Sequence, residues 1–141
     1  MRLTQFSDYS LRLLLYLAER PDALCTVGDI AAWYGVSRPH MAKVAHHLTK
    51  LGYVDGVQGK SGGLRLAKMP AEMNIGEIIR QMEPDFHVVE CFDKERGACR
   101  IDGTCQLKHA LHAATAAFFE VLDKHSLATV TPHHQQTKKG D

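Results

Sequence analysis

The chain has no run of about eighteen apolar residues, so no membrane-spanning helix is expected. It has almost no excess charge of either sign. Its 17 Lys and Arg stand against 16 Asp and Glu, for a net charge of +1, which excludes a uniformly basic protein that coats nucleic acid. It lacks a closely spaced cysteine pair of the C-x2-C kind used by most zinc sites. No P-loop, nucleophile elbow or His-Glu-x-x-His motif occurs, and the length leaves no room for a second cofactor or substrate domain, so an enzyme is not expected. The opening MRLTQFSDYS lacks the basic-then-apolar layout of a signal peptide, and a cytoplasmic protein is the expectation. In a reducing compartment the four cysteines are expected to be free, metal-bound or catalytic rather than disulfide-bonded. What is present suits one globular domain with an appended element: 141 residues, 45% of them hydrophobic.

The near-neutral total hides an asymmetry. Residues 1–70 carry nine basic and five acidic side chains, a balance of +4, while residues 71–141 carry eight and eleven, a balance of −3. Between 36 and 68 lie Arg38, Lys43, Lys50, Lys60, Arg65 and Lys68 with Asp55 as the one acid, and His40, His46 and His47 fall in the same stretch. Such a stripe is the electrostatic footprint of a nucleic-acid site, although a solvated helix face and a charged hairpin would read alike.

Local signals divide the chain into short elements. Thr4 or Ser7 can cap a first helix with an apolar stripe of Leu11, Leu14, Leu15 and Ala18, ended by Pro21. Thr26 and Asp29 form a capping box for a short helix holding Ile30, Ala31 and Trp33, closed by Gly35. Ser37 caps a third helix whose inner face is Met41, Val44, Ala45 and Leu48, with Pro39 in the first turn. Two short helices around the turn 34–37 make a helix-turn-helix layout. The strands 53–57 and 64–66, joined by the glycine-rich loop 58–63, then add a basic hairpin. That order is the winged-helix pattern. Asn74 caps a further helix through Met82, stopped by Pro84, and Leu107, Ala110, Leu111, Ala114, Ala117, Phe118, Val121 and Leu122 mark a long helix from 106 to about 125. The expected fold is mainly α with a small β hairpin: a winged helix-turn-helix domain plus a long C-terminal dimerisation helix. The expected divisions are a DNA-binding domain at 1–70, a connecting helix and cluster-binding loop at 71–105, the dimerisation helix at 106–125 and a flexible tail at 126–141. Cys25 reads as a small buried hydrophobe. Trp33 and Tyr34 read as core and turn residues.

Residues 85–105 have no helical or strand period and contain Cys91, Cys99 and Cys105. Gly97 and Gly103 let the loop fold back, so that three sulfurs can converge. Convergent thiolates suit an iron–sulfur cluster, zinc or copper(I), and the wide spacing favours a cluster. Three thiolates leave one iron of a four-iron cluster without a protein ligand. Asp8, Glu90, Asp93, Asp102 and His109 are candidates for that place. Asp8 also suits the first turn of a helix, where the dipole favours an acid.

With these residues in view the chain resembles the nitric-oxide-responsive repressors of the Rrf-type winged-helix family. The opening residues 1–10, the helix 36–44, the wing 59–66 and the three-cysteine loop carry the resemblance, which spans roughly residues 1–125. It implies a homodimer, an iron–sulfur cluster on Cys91, Cys99 and Cys105, and release of operator DNA when nitric oxide attacks the cluster. It also implies that Asp8 of the partner subunit completes a 4Fe–4S cluster. Two features depart from relatives. The seven-residue gap between Cys91 and Cys99 is longer than in several of them. The IscR-like sensors hold a 2Fe–2S cluster with a histidine three residues after the last cysteine, where this chain has Lys108, with His109 next to it. An IscR-like 2Fe–2S regulator and a zinc-bearing winged-helix regulator are the alternatives. In the first reading the third helix enters the major groove with Ser37, Arg38, His40 and Lys43, and the wing reaches the backbone or minor groove with Lys60, Ser61, Gly62, Gly63 and Arg65.

Overall fold

The computed structural model describes residues 1–97 and 99–132. Each expected helix start is present, because each rests on a side chain that satisfies an otherwise unpaired amide. The Thr4 hydroxyl accepts from the Ser7 N–H at 3.3 Å and opens α1, Gln5–Ala18. Thr26 and Asp29 close their capping box on α2, Val27–Tyr34, which Gly35 ends at φ +64°. Ser37 accepts from the His40 N–H and opens α3, Arg38–Lys50. The strands β1, Val54–Val57, and β2, Gly63–Leu66, pair antiparallel with Val54 opposite Leu66 and Val57 opposite Gly63. Then follow α4, Ile75–Met82, α5, Gln106–Leu122, and α6, Leu127–Val130.

The central element is α1, which packs against α3, β2, α4 and α6. This corrects the apolar face expected for it. Leu13, Leu14 and Leu17 are fully buried together with Ser7 and Ser10, whereas Leu11 and Leu15 are only partly covered. A helix enclosed on several sides does not keep a single stripe. The two serines let neighbours approach closely, and Ser10 stays satisfied by donating to the Phe6 carbonyl at 2.7 Å. Trp33 is also corrected. It is 65% exposed, with the Tyr16 ring and the Arg20 guanidinium beside it. Cys25 is buried as expected, and burial pushes its thiol above the ordinary cysteine range.

The end of α5 is tied to α4. The Arg80 guanidinium donates to both Asp123 oxygens at 2.6 and 2.8 Å and lies over the Phe119 ring. These hydrogen bonds hold the Asp123 carboxyl below the usual carboxylate range. Gly76 leaves room beneath the pair, since a Cβ there would meet Asp123 Oδ1 and the carboxylate would have to shift. At 17 residues α5 is about 26 Å long, shorter than its periodicity suggests, because the chain turns at Asp123. The flexible tail expected from 126 is corrected over 126–132. Ser126 and Thr129 form a capping box, Leu127 is fully buried, and its N–H donates to the Met73 carbonyl at 2.8 Å. One leucine in a four-residue helix leaves no periodic trace. The rest of the expected tail, 133–141, lies outside the described residues.

Candidate nucleic-acid interface and metal centre

The inner face of α3 is the expected one: Met41, Val44, Ala45 and Leu48 are buried. The opposite face leaves Ser37, Arg38, His40 and Lys43 exposed, followed by His46 and Lys50. No carboxylate lies in the helix to neutralise them. The Arg38 guanidinium rests along Gly28 of α2, where a methyl group would lie only 3.7 Å from it. His40 leans on Tyr9 of α1 and His47 on Phe6, so α1 supports the reading helix along one side.

In the wing, Lys60, Ser61 and Arg65 are exposed. The register sets Arg65 directly opposite Asp55. Gly62 and Gly63 have a role within the fold itself. A Cβ on Gly62 would overlap the Val57 carbonyl oxygen, and one on Gly63 would lie 3.0 Å from the backbone of Cys25. Cys25 pairs with Leu64 through two backbone hydrogen bonds of 3.0 and 2.7 Å and so extends the hairpin on its inner side. These glycines let the wing fold on itself, whatever they allow toward DNA.

Asp8 lies in the first turn of α1 and is bound within its own chain. Arg12 reaches back one turn and meets both carboxylate oxygens, at 3.1 and 2.9 Å. The same guanidinium lies 5.8 Å from the Tyr9 ring centre and 5.6 Å from that of Tyr34. Tyr34, the last residue of α2, donates its hydroxyl to the Arg12 carbonyl at 3.0 Å. Asp8 therefore sits at one end of a set of contacts that reaches the helix-turn-helix turn. Sequence reasoning missed Arg12; its spacing of four from Asp8 was the available signal.

The cysteine loop is built from short 3-10 turns at Glu90–Phe92, Lys94–Arg96 and Asp102–Thr104, which is why no long period marks it. All three thiols are free. Cys105 is the N-cap of α5, and its sulfur accepts from the Lys108 N–H at 3.3 Å. Asp102 accepts a hydrogen bond from the Lys108 ammonium. That bond raises the lysine above its ordinary range, and Cys91 and Cys105, as thiolates, push it the same way. Cys99 is exposed, with its carbonyl accepting from the Asp102 N–H at 3.1 Å. Among the described residues no three His, Cys, Asp or Glu side chains stand together closely enough to hold a metal ion. His109 is exposed on α5. As a donor set the loop fits an iron–sulfur cluster: three soft sulfurs outside any disulfide, one of them at a helix N-terminus whose amides favour negative charge.

Residues 3–133 match the sequence model of the Rrf2 family, described as "Iron-dependent Transcriptional regulator". The chain belongs to the Rrf2 family. It is a DNA-binding transcriptional regulator, mainly helical with a winged hairpin. This Rrf2-family chain is 44% identical over 140 residues to the HTH-type transcriptional regulator NsrR of Bacillus subtilis, covering 99% of this chain and 96% of that one. It is 46% identical over 128 residues to the NsrR of Shouchella clausii, covering 90% and 86%. Among solved structures it is similar to T. potens IscR, with a TM-score of 0.73 and 26% identity over 91% of this chain and 84% of that one. No helix among the described residues is long and apolar enough to cross a membrane.

Proposed function

We propose that this Rrf2-family protein is a cytoplasmic homodimeric repressor that senses nitric oxide through an iron–sulfur cluster on Cys91, Cys99 and Cys105. The observation that carries the reading is positional. The cysteine loop ends as the N-cap of α5, and Asp8 sits on α1, the helix that supports the reading helix α3. When bound, the cluster supplies iron that nitric oxide attacks. Cys91, Cys99 and Cys105 would hold it as thiolates. Asp8 of the partner subunit would complete a 4Fe–4S set; the alternative reading is a 2Fe–2S cluster, with His109 as the candidate ligand. Asp8 then alternates between two roles, ligand across the dimer and partner of Arg12 within its own chain. Either role changes what holds Arg12 beside Tyr34 and the helix-turn-helix turn. The direct test is an operator gel shift with protein purified without oxygen: retardation is expected before nitric oxide is added and loss of it afterwards.

DNA is bound by Ser37, Arg38, His40 and Lys43 in the major groove and by Lys60, Ser61 and Arg65 of the wing, with Gly62 and Gly63 allowing close approach. If a dimer meets about 6–10 phosphates, affinity falls about 10³–10⁵-fold between 50 and 200 mM salt. Arg38→Ala is expected to weaken operator binding more than random-sequence binding, as fluorescence anisotropy on both DNAs will report. Equal losses would make Arg38 a phosphate contact.

The fourth ligand is tested by Asp8→Ala beside His109→Ala. Asp8→Ala is expected to alter the visible spectrum of the loaded protein and to weaken operator binding, because a carboxylate cannot be replaced there by a methyl group. His109→Ala is expected to leave both nearly unchanged. The reverse pattern would assign the ligand to His109.

A further inference from the structure

One face of α5 carries Cys105, Lys108 and His112, three and then four residues apart. Each of the two later side chains grips a different part of the cysteine loop. The Phe92 ring, next to Cys91, lies flat on the His112 imidazole, with ring centres 3.8 Å apart and planes 8° from parallel. The Asp102 carboxylate accepts from the Lys108 ammonium, while the Asp102 N–H donates to the Cys99 carbonyl at 3.1 Å. The Lys108 N–H donates to the Cys105 sulfur at 3.3 Å. All three cysteines are therefore one short link from these two residues.

We propose that Lys108 and His112 are positioning residues of the cysteine loop, holding the segment that carries Cys91, Cys99 and Cys105 against the first two turns of α5, from where the three sulfurs close on iron. The iron in this statement rests on the cluster reading above; the anchoring does not. Neither residue is needed for the core. The buried residue of α5 is Phe119, about two turns beyond His112. An isolated surface ion pair would do little. This one is different in setting: the Lys108 side chain is 23% exposed, and its partner is itself bonded to the loop backbone. Among its described residues the loop has 3-10 turns and no strand or long helix, so its attachment to α5 rests on side-chain grips such as these two. Groups that orient metal ligands in this way commonly matter for metal affinity almost as much as the ligands do.

The test compares disruptive with conservative replacements. Lys108→Met and His112→Ala remove the grips; Lys108→Arg and His112→Phe keep an ion pair and a flat ring. In metal-free protein, trypsin cleavage after Lys94, Arg96 and Arg100 reads the loop directly. The Lys108→Met/His112→Ala double variant is expected to be cut there several-fold faster than the parent chain, with an unchanged unfolding midpoint. The conservative pair is expected to be cut at the parental rate. In protein loaded with iron and sulfide without oxygen, the disruptive pair is expected to lose iron to a chelator about 10–100-fold faster, again restored by the conservative pair. Parental cleavage in the disruptive variants, or equal effects from both pairs, would overturn the proposal. If the parent chain itself takes up no iron, the cluster reading fails, and the cleavage rates alone decide the anchoring.

Discussion

Alanine at any one of Cys91, Cys99 or Cys105 is expected to give a colourless protein that has lost tight operator binding. Protein purified without oxygen should absorb in the visible, and each single replacement should remove that absorption. The reason is the small number of donors. With three thiolates from the chain, the loss of one leaves too few soft ligands for a cluster to persist. Operator affinity should then fall toward the non-specific level, about 10³-fold or more. The control is Cys25→Ala. Cys25 is buried behind the wing, its backbone pairs with Leu64, and its thiol points to the Ala23 carbonyl at 4.0 Å. That variant should keep its colour. Tight binding by a colourless Cys99→Ala protein would separate the cluster from the switch, and colour lost in Cys25→Ala would move the ligand set.

The contrast between Cys25 and the other three was legible in the chain because it depends on local chemistry: an apolar neighbourhood against a polar, glycine-containing loop. The same holds for the helix starts. Thr26 with Asp29, Ser37, and Asn74 each satisfy amides within three residues, so the chain alone reveals them. The elements that were not legible depend on what comes from elsewhere. The buried face of α1 answers to four neighbours at once. Trp33 is exposed because α2 turns it away from the core, which no spacing announces. Gly62 and Gly63 looked like loop residues suited to DNA, yet backbone carbonyls at Val57 and Cys25 already demand them. The α6 turn rests on one buried leucine. In the loop itself the cysteines were visible, but Phe92 on His112 and Asp102 on Lys108 join residues whose pairing follows from the path of three 3-10 turns.

Glutamate at Leu111 or Phe118 is expected to convert a dimer to a monomer and to abolish tight operator binding. Along α5 the apolar residues outnumber the neighbours available to cover them. Leu107 is 66% exposed and Val121 56%, and Ala110, Ala113, Ala114 and Ala117 are exposed between them. A helix apolar on so much of its circumference is ordinarily buried. Leu111 and Phe118 line a groove of about 750 Å³ that also takes in Leu3, Phe86 and Val88, which offers a second α5 a place to lie. A carboxylate closed into that contact would have no partner and would cost several kcal/mol. Trp33→Glu is the matched control, since it too replaces an exposed apolar side chain, but on α2; it should remain dimeric. Sedimentation equilibrium separates these outcomes. The DNA readout follows from the same geometry. A monomer meets one half-site, so about half the phosphates are neutralised and the slope of log affinity against log salt falls by about half. A Leu111→Glu protein that stays dimeric with the full salt slope would place the interface away from α5.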